Sequence, residues 1–158
     1  MNATQNTYTD ALRNGDVEAV KNILLANPSW VNLNLMGFTP LVLASYHNHI
    51  GIVKTLLDMG AEVDAKDGSG NTALMGATFK GFEETVKLLL EAGAEVNSIN
   101  HQGATALTFA CTFNQERIAQ MLISHGADPD IKDERGNTPL DHARMQSFEW
   151  AESLLVNT

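Results

Sequence analysis

The chain has 158 residues and carries 19 Asp and Glu against 10 Lys and Arg, which gives a formal net charge of −9. This length suits a single domain, and the acidic balance argues against non-specific binding to nucleic acid or to an anionic membrane surface, because both need a basic protein surface. The single cysteine, Cys111, excludes an intramolecular disulfide and a cysteine-based zinc site.

The amino-terminal stretch from Met1 to Tyr8 has neither a basic region nor an apolar core, so we expect no secretory signal. No apolar run approaches the ~20 residues that a membrane-spanning helix needs. We therefore expect a cytoplasmic protein that does not bind membranes, and we expect it to be a monomer.

A glycine recurs every 33 residues, at Gly37, Gly70, Gly103 and Gly136, and a fixed period of this size is typical of stacked repeats. The residues around each glycine repeat as well. A threonine follows two positions later, a leucine two positions after that, and an alanine comes next in phase, at Ala44, Ala77, Ala110 and Ala143. A Gly-Ala pair also returns in phase, beginning at Gly60, Gly93 and Gly126.

The segment 70–102 shows why this spacing folds. A first helix is predicted from about Ala73 to Lys80, with Thr72 as its N-cap. A second helix is predicted from about Glu83 to Ala92, because three apolar residues lie on one face at helical spacing: Val86, Leu89 and Leu90. Gly93 supplies the left-handed residue that ends this helix, and an extended hairpin leads to the next glycine.

These motifs resemble the ankyrin repeat family over nearly the whole chain. The resemblance implies an all-α repeat solenoid of helix–turn–helix units with β-hairpin loops, forming a single domain over residues 1–158. We count about five repeats: an N-terminal cap repeat at 4–36, internal repeats at 37–69, 70–102 and 103–135, and a C-terminal cap repeat at 136–158. The family's usual histidine after Thr-Pro-Leu is absent, and its places hold Val42, Met75, Thr108 and Asp141.

The resemblance also implies a concave binding surface, formed by the hairpin tips and the exposed side of the first helices. Carried over position by position, it predicts ten partner-binding residues: Phe38, Tyr46, His47, Lys66, Asn71, Phe79, Lys80, His101, Phe113 and Met145. Aromatic residues are concentrated there although the chain is only 6% aromatic, and clustered aromatic and Met side chains are typical of a protein interface. The alternative is that the rings fold between neighbouring helices and belong to the core.

The remaining features favour structural roles. Glu62, Glu95 and Asp128 recur in phase and predict a solvated acidic row. The histidines lack the spacing of a helical zinc pair, and Cys111 occupies a small-residue position typical of a packed core. Trp150 either covers the carboxy-terminal repeat or marks a second contact surface.

No acid–base or nucleophile constellation can be assembled from these residues, so an enzyme is not predicted, and neither is a cofactor or a metal. The predicted function is a non-catalytic interaction module that binds a folded partner protein on its concave face. One alternative is an immunity-type inhibitor of a basic toxin or enzyme, suggested by the small size and the negative charge. Another is a stress-linked periplasmic ankyrin protein of the kind known in bacteria. Separately, the stretch from Leu24 to Pro28 looks bacterial.

Overall fold

A computed structural model describes residues 3–156 and contains, within that range, ten α-helices, one short 3₁₀ helix and no β-strand. The predicted domain also includes residues 1, 2, 157 and 158, which lie outside the described part of the chain. The helices are α1 Ala3–Asn14, α2 Val17–Ala26, the 3₁₀ helix Pro28–Asn32, α3 Pro40–Tyr46, α4 Ile50–Asp58, α5 Ala73–Lys80, α6 Glu83–Glu91, α7 Ala106–Thr112, α8 Glu116–Ser124, α9 Pro139–Met145 and α10 Trp150–Leu155. The all-α solenoid is confirmed. None of the helices in this range is both long and apolar enough to cross a bilayer.

The helices stack in two layers. The inner layer contains the odd-numbered helices, each in contact with the next odd one, and the outer layer contains the even-numbered helices in the same way. The apolar faces of both layers meet in one continuous core, which includes the fully buried Leu74, Leu89, Leu107 and Leu122. Each helix pair therefore buries its apolar face against its neighbours, as a solenoid requires.

A threonine begins each of the helices α3, α5, α7 and α9 by accepting a hydrogen bond from the backbone N–H three residues on. In the last two, the side chains of Thr108 and Asp141 return a bond to the backbone N–H of the capping threonine. This reciprocal pattern is a capping box. It uses two of the places where the family usually has histidine, so the inner helices are capped without that residue.

The loops between the helix pairs differ from the predicted hairpins. Among residues 3–156 a single isolated bridge forms, between Leu35 and Phe38. In the next loop, the Asp67 carboxylate instead accepts hydrogen bonds from the backbone N–H groups of Ser69 and Asn71, both at 2.8 Å. The backbone N–H of Gly68 donates to the carbonyl of Gly37 at 2.7 Å, so successive loops bond to each other. The backbone N–H of Asp67 also donates to the carbonyl of Asn71 at 2.9 Å, so this loop keeps a hairpin turn although no strand forms within residues 3–156.

The turn within each helix pair shows a second 33-residue series. Five residues adopt positive φ angles between 57° and 79°: Gly15, Asn48, Gly81, Asn114 and Ser147. Glycine adopts this conformation without steric cost, whereas asparagine and serine do not. The turn geometry is therefore kept along the whole stack although the residue type changes.

Helix α6 ends one residue earlier than predicted, at Glu91.

Candidate functional site: an aromatic groove on the inner helix layer

Three predicted rings form a partly exposed ladder along the inner layer. Tyr46, Phe79 and Phe113 are 41%, 38% and 44% exposed. The ring centroids of Tyr46 and Phe79 are 6.4 Å apart in a stacked arrangement, and those of Phe79 and Phe113 are 4.8 Å apart, edge to face. The half-buried ring of Phe109 lies 6.2 Å from that of Phe79 and 6.4 Å from that of Phe113. Tyr46, Phe79 and Phe113 are therefore exposed, whereas Phe109 packs against the core. The four rings contact one another in geometries that aromatic pairs prefer.

A cavity of about 500 Å³ opens beside the Tyr46 and Phe79 rings. We call this cavity and the adjoining rings the aromatic groove. Five of the ten predicted residues line the cavity: Phe38, Tyr46, His47, Asn71 and Phe79. Its lining comes from α1, α3, α5, α7 and the loops, and Gly76 lies among the lining residues. The 33-residue step brings residues that are distant in sequence onto this one surface.

The amino-terminal side of the groove carries positive charge. Lys80 Nζ lies 5.1 Å from the centroid of the Tyr46 ring, a cation–π arrangement. Desolvation lowers the pKa of His47 below its usual value, and the positive charges of His49, Arg13 and Lys80 lower it further. His49 Nε2 donates to the carbonyl of Arg13 at 2.7 Å, which ties the end of α1 to the turn before α4.

The other predicted residues lie at the margins of the groove or away from it. Lys80 is exposed above the Tyr46 ring, and Phe113 lines a second cavity of about 350 Å³ together with Phe109 and Glu134. Lys66 donates from Nζ to the carbonyl of Ile99 at 2.7 Å. His101 is exposed in its loop and Met145 is 64% exposed on α9, and neither lines a cavity described here.

Eight residues that line the cavity are not among the ten predicted: Arg13, Val42, Leu43, Asp67, Ser69, Met75, Gly76 and Phe109. A sequence signal for Gly76 and Phe109 exists, because Leu43, Gly76, Phe109 and His142 occupy one position of the 33-residue period. A large residue, a glycine and a ring at the same place predict an uneven inner surface. Arg13 lies near the end of α1, which packs against α3.

The acidic row is part of the bonding between successive loops. The backbone N–H groups of Glu62, Glu95 and Asp128 donate to the side chains of Asn32, Asp64 and Asn97, at 2.9, 2.8 and 2.8 Å. The side chains of the three acidic residues are exposed. The row is therefore both structural and solvated, as predicted.

Trp150 and Cys111 have structural roles as well. The Trp150 ring is half-buried against the core, and its Nε1 donates to Asn114 Oδ1 at 2.8 Å, which ties the last repeat to the turn between α7 and α8. Cys111 is fully buried, and burial raises the pKa of its thiol to about 12. Within residues 3–156, no group of three His, Cys, Asp or Glu side chains is placed to hold a metal ion.

A two-layer helical solenoid with a 33-residue period and a groove on its inner layer defines a repeat protein of the surface-recognition class. The chain belongs to the ankyrin repeat family: the family described as ankyrin repeats (3 copies) matches residues 8–100 and, in a second match, residues 74–158. The chain is similar to the mouse (Mus musculus) protein named "Ankyrin repeat and SAM domain-containing protein 6", with 42% identity over 71 residues. That alignment covers 44% of this chain and 8% of the mouse protein, so it reports on the repeats alone. Ankyrin repeats generally serve protein–protein interaction.

Proposed function

We propose that this chain is a non-catalytic module that binds another protein through the aromatic groove. The observation that carries the proposal is the ladder of Tyr46, Phe79 and Phe113, which leaves 38–44% of each residue exposed at adjoining sites of successive helix pairs. Contiguous exposed rings are what the core of a protein interface requires. The five repeat units, with the boundaries predicted from the sequence, supply the surface.

The physical basis of binding is a preformed apolar surface. The rings already contact one another in the free protein, so little side-chain freedom is lost when a partner covers them. A ring at the centre of such a contact contributes on the order of 2 kcal/mol or more as a hot spot. Lys80 and His47 lie at the edge of the patch and belong to its polar rim.

The test is affinity capture of partners with a triple variant, Tyr46→Ala/Phe79→Ala/Phe113→Ala, beside the wild type. A matched triple variant on the outer layer, Leu25→Ala/Lys54→Ala/Lys87→Ala, changes exposed residues of α2, α4 and α6. We expect the outer variant to retain the partner and the groove variant to lose it, with both showing the helical circular dichroism of the wild type. Retention of the partner by the groove variant contradicts the proposal.

An immunity-type inhibitor of a basic toxin or enzyme is the second candidate, supported by the exposed side chains of Glu62, Glu95 and Asp128. A basic target would bind this row rather than the groove, whose amino-terminal side is positive. The affinity of a basic target for this acidic row would fall steeply as the salt concentration rises. The cytoplasmic location stays a prediction, and so does the periplasmic stress role. A signal peptide in the full-length gene would favour the periplasmic role.

A further inference from the structure

Neither the backbone conformation nor the packing requires a glycine at position 76. This glycine leaves a space in the inner layer. It lies inside α5, where glycine is less favourable than alanine, and its φ is not in the left-handed region. A Cβ atom built on it meets one neighbour within 4 Å, the Tyr46 Cδ2 atom at 3.8 Å, which is an ordinary contact. The glycine thus weakens the helix, and what it provides is an open cavity.

The equivalent positions of the adjacent repeats are filled. Leu43 is buried on α3 and Phe109 is half-buried on α7, both 33 residues from Gly76. The cavity over Gly76 is lined by the apolar side chains of Val42, Met75 and Phe79 among others. Its volume of about 500 Å³ lies within the range of ~300–1,000 Å³ for sites that enclose a ligand. Such a space has room for one large apolar side chain of a partner together with parts of the residues next to it.

The charges around the cavity determine which residues are favoured on either side of that apolar side chain in the partner segment. Arg13 and His47 line the opening and Lys80 lies above the Tyr46 ring. Asp67 is the one carboxylate among the lining residues, and its Oδ1 atom already accepts two backbone hydrogen bonds. No lining residue comes from the outer layer, which carries many of the acidic side chains. Arg13 and Lys80 therefore make the rim positive on a chain whose net charge is −9.

Each charge that acts on His47 has the same sign. Desolvation is the largest cause that lowers the pKa of this side chain. His49, Arg13 and Lys80, which belong to three separate segments of the chain, lower it further. A carboxylate placed beside these groups experiences attraction, whereas a lysine or arginine is repelled. Local charge and the apolar cavity thus favour one kind of partner segment.

We propose that the cavity over Gly76 binds a single large apolar side chain of a partner segment whose neighbouring residues are Asp or Glu. This proposal rests on the proposed function, and it names the chemistry of the partner. The apolar side chain occupies the cavity between Tyr46 and Phe79. The acidic neighbours lie against Arg13, His47 and Lys80, and the rest of the segment continues over Phe109 and Phe113.

The first experiment selects random dodecapeptides displayed on phage against the wild-type protein, with an unrelated acidic protein as background. We expect enriched peptides to contain one large apolar residue with Asp or Glu close to it and few basic residues. The peptides are then synthesised with a fluorescent label and titrated by anisotropy at fixed salt. Enrichment of basic peptides, or no enrichment above background, overturns the proposal.

Variants of Gly76 locate the peptide in the cavity. Gly76→Phe copies the ring of Phe109 and fills the space, so we expect peptide affinity to fall about tenfold or more. Gly76→Ala is the matched control: it adds one methyl group, leaves the cavity open, and melts at a higher temperature than the wild type. Should Gly76→Phe fail to fold, Gly76→Leu, which copies Leu43, replaces it. Unchanged affinity in the filled variant overturns the proposal.

Charge variants test the rim in the same titration. Arg13→Gln/Lys80→Gln is expected to weaken peptide binding by about tenfold, while Lys54→Gln on the outer layer leaves it unchanged. Equal effects of the two variants contradict the assigned rim. Sedimentation velocity of the wild type tests whether a second copy of the chain occupies the groove. A dimer that is dissociated by Gly76→Phe would place a second copy there and overturn the proposal.

Partner capture separates this proposal from the proposed function. A partner that is retained by Gly76→Phe but lost by Tyr46→Ala/Phe79→Ala/Phe113→Ala leaves concave-face binding in place and refutes the cavity. A partner retained by both variants refutes both. Loss of the partner in both variants, with Gly76→Ala still binding, supports both.

Discussion

Replacing Thr78 by valine is expected to stabilise the protein. Thr78 is fully buried in α5, and its hydroxyl has no hydrogen-bond partner among the described residues. Its equivalents one repeat away are Ser45, whose hydroxyl is also unpaired, and Cys111, which needs no partner. A buried hydroxyl without a hydrogen bond costs about 1–3 kcal/mol. Valine has nearly the same shape, so we expect Thr78→Val to raise the free energy of unfolding by about 1–2 kcal/mol.

Urea unfolding followed by far-ultraviolet circular dichroism measures this change, together with the melting temperature, which rises by about 2–4 °C for each kcal/mol in a chain of this size. The m-value has to stay constant for the comparison to hold. Thr108→Val is the matched control, because the Thr108 hydroxyl oxygen accepts from the backbone N–H of Thr105 at 3.1 Å in a capping box. The same chemical change there is expected to destabilise by about 1 kcal/mol. If Thr78→Val is neutral or destabilising, the reasoning is refuted.

Three further predictions concern the last repeats. Asp133 accepts from the backbone N–H groups of Arg135 and Asn137 and lies 2.7 Å from His142 Nε2. Desolvation acts to raise the pKa of Asp133, but the bond from Asn137 and then that from His142 lower it overall. The resulting stability is present above the unfolded-state pKa of about 4 and is lost as the pH falls through the folded-state value. Asp133→Asn, which keeps the acceptor as Asn100 does one repeat earlier, should make this loss shallower in urea titrations at a series of pH values, and an unchanged acid limb would contradict the assignment. Ser147→Gly should raise stability by about 1 kcal/mol, because Ser147 has φ 60°, and a lower melting temperature would show that the serine side chain stabilises the turn. Cys111 should resist a thiol reagent at pH 8 in the native state and react once denatured, since the thiolate is the reactive form; rapid native labelling would contradict its burial.

The helix pattern of this chain can be predicted from local rules. Thr72 and Gly81 bound the first helix of their repeat, and the structure has that helix at Ala73–Lys80, as expected. The rings of Tyr46 and Phe79 could also be placed, because period and register locate them on the same side of neighbouring helices. These features depend on capping and on spacing, which are properties of short stretches of sequence.

The shape of the groove could not be predicted in this way. The space over Gly76 depends on the side chains that surround it from four helices and their loops, and a helical glycine gives no local sign of an open cavity. Met145 fits the expected register but lies on α9, beyond the helices that line the groove. The extent of the hairpins could not be predicted either: in the loop of Asp67, side-chain bonds accompany a single turn and no strand is formed.

The contrast between the net charge and the local charge of the groove gives a kinetic prediction. A partner segment that carries Asp or Glu is repelled at long range by the net charge of −9 and attracted at short range by Arg13 and Lys80. Salt screens charges that are separated by more than the Debye length of about 10 Å at 0.1 M, so the repulsion between distant charges is screened most strongly. Raising the salt concentration should therefore leave the association rate of an acidic groove peptide unchanged or faster, while dissociation becomes faster. Stopped-flow fluorescence with a labelled peptide separates the two rates. A basic target of the acidic row would instead associate more slowly with every increase in salt, and the same result for a groove peptide would contradict the charge assigned to the rim.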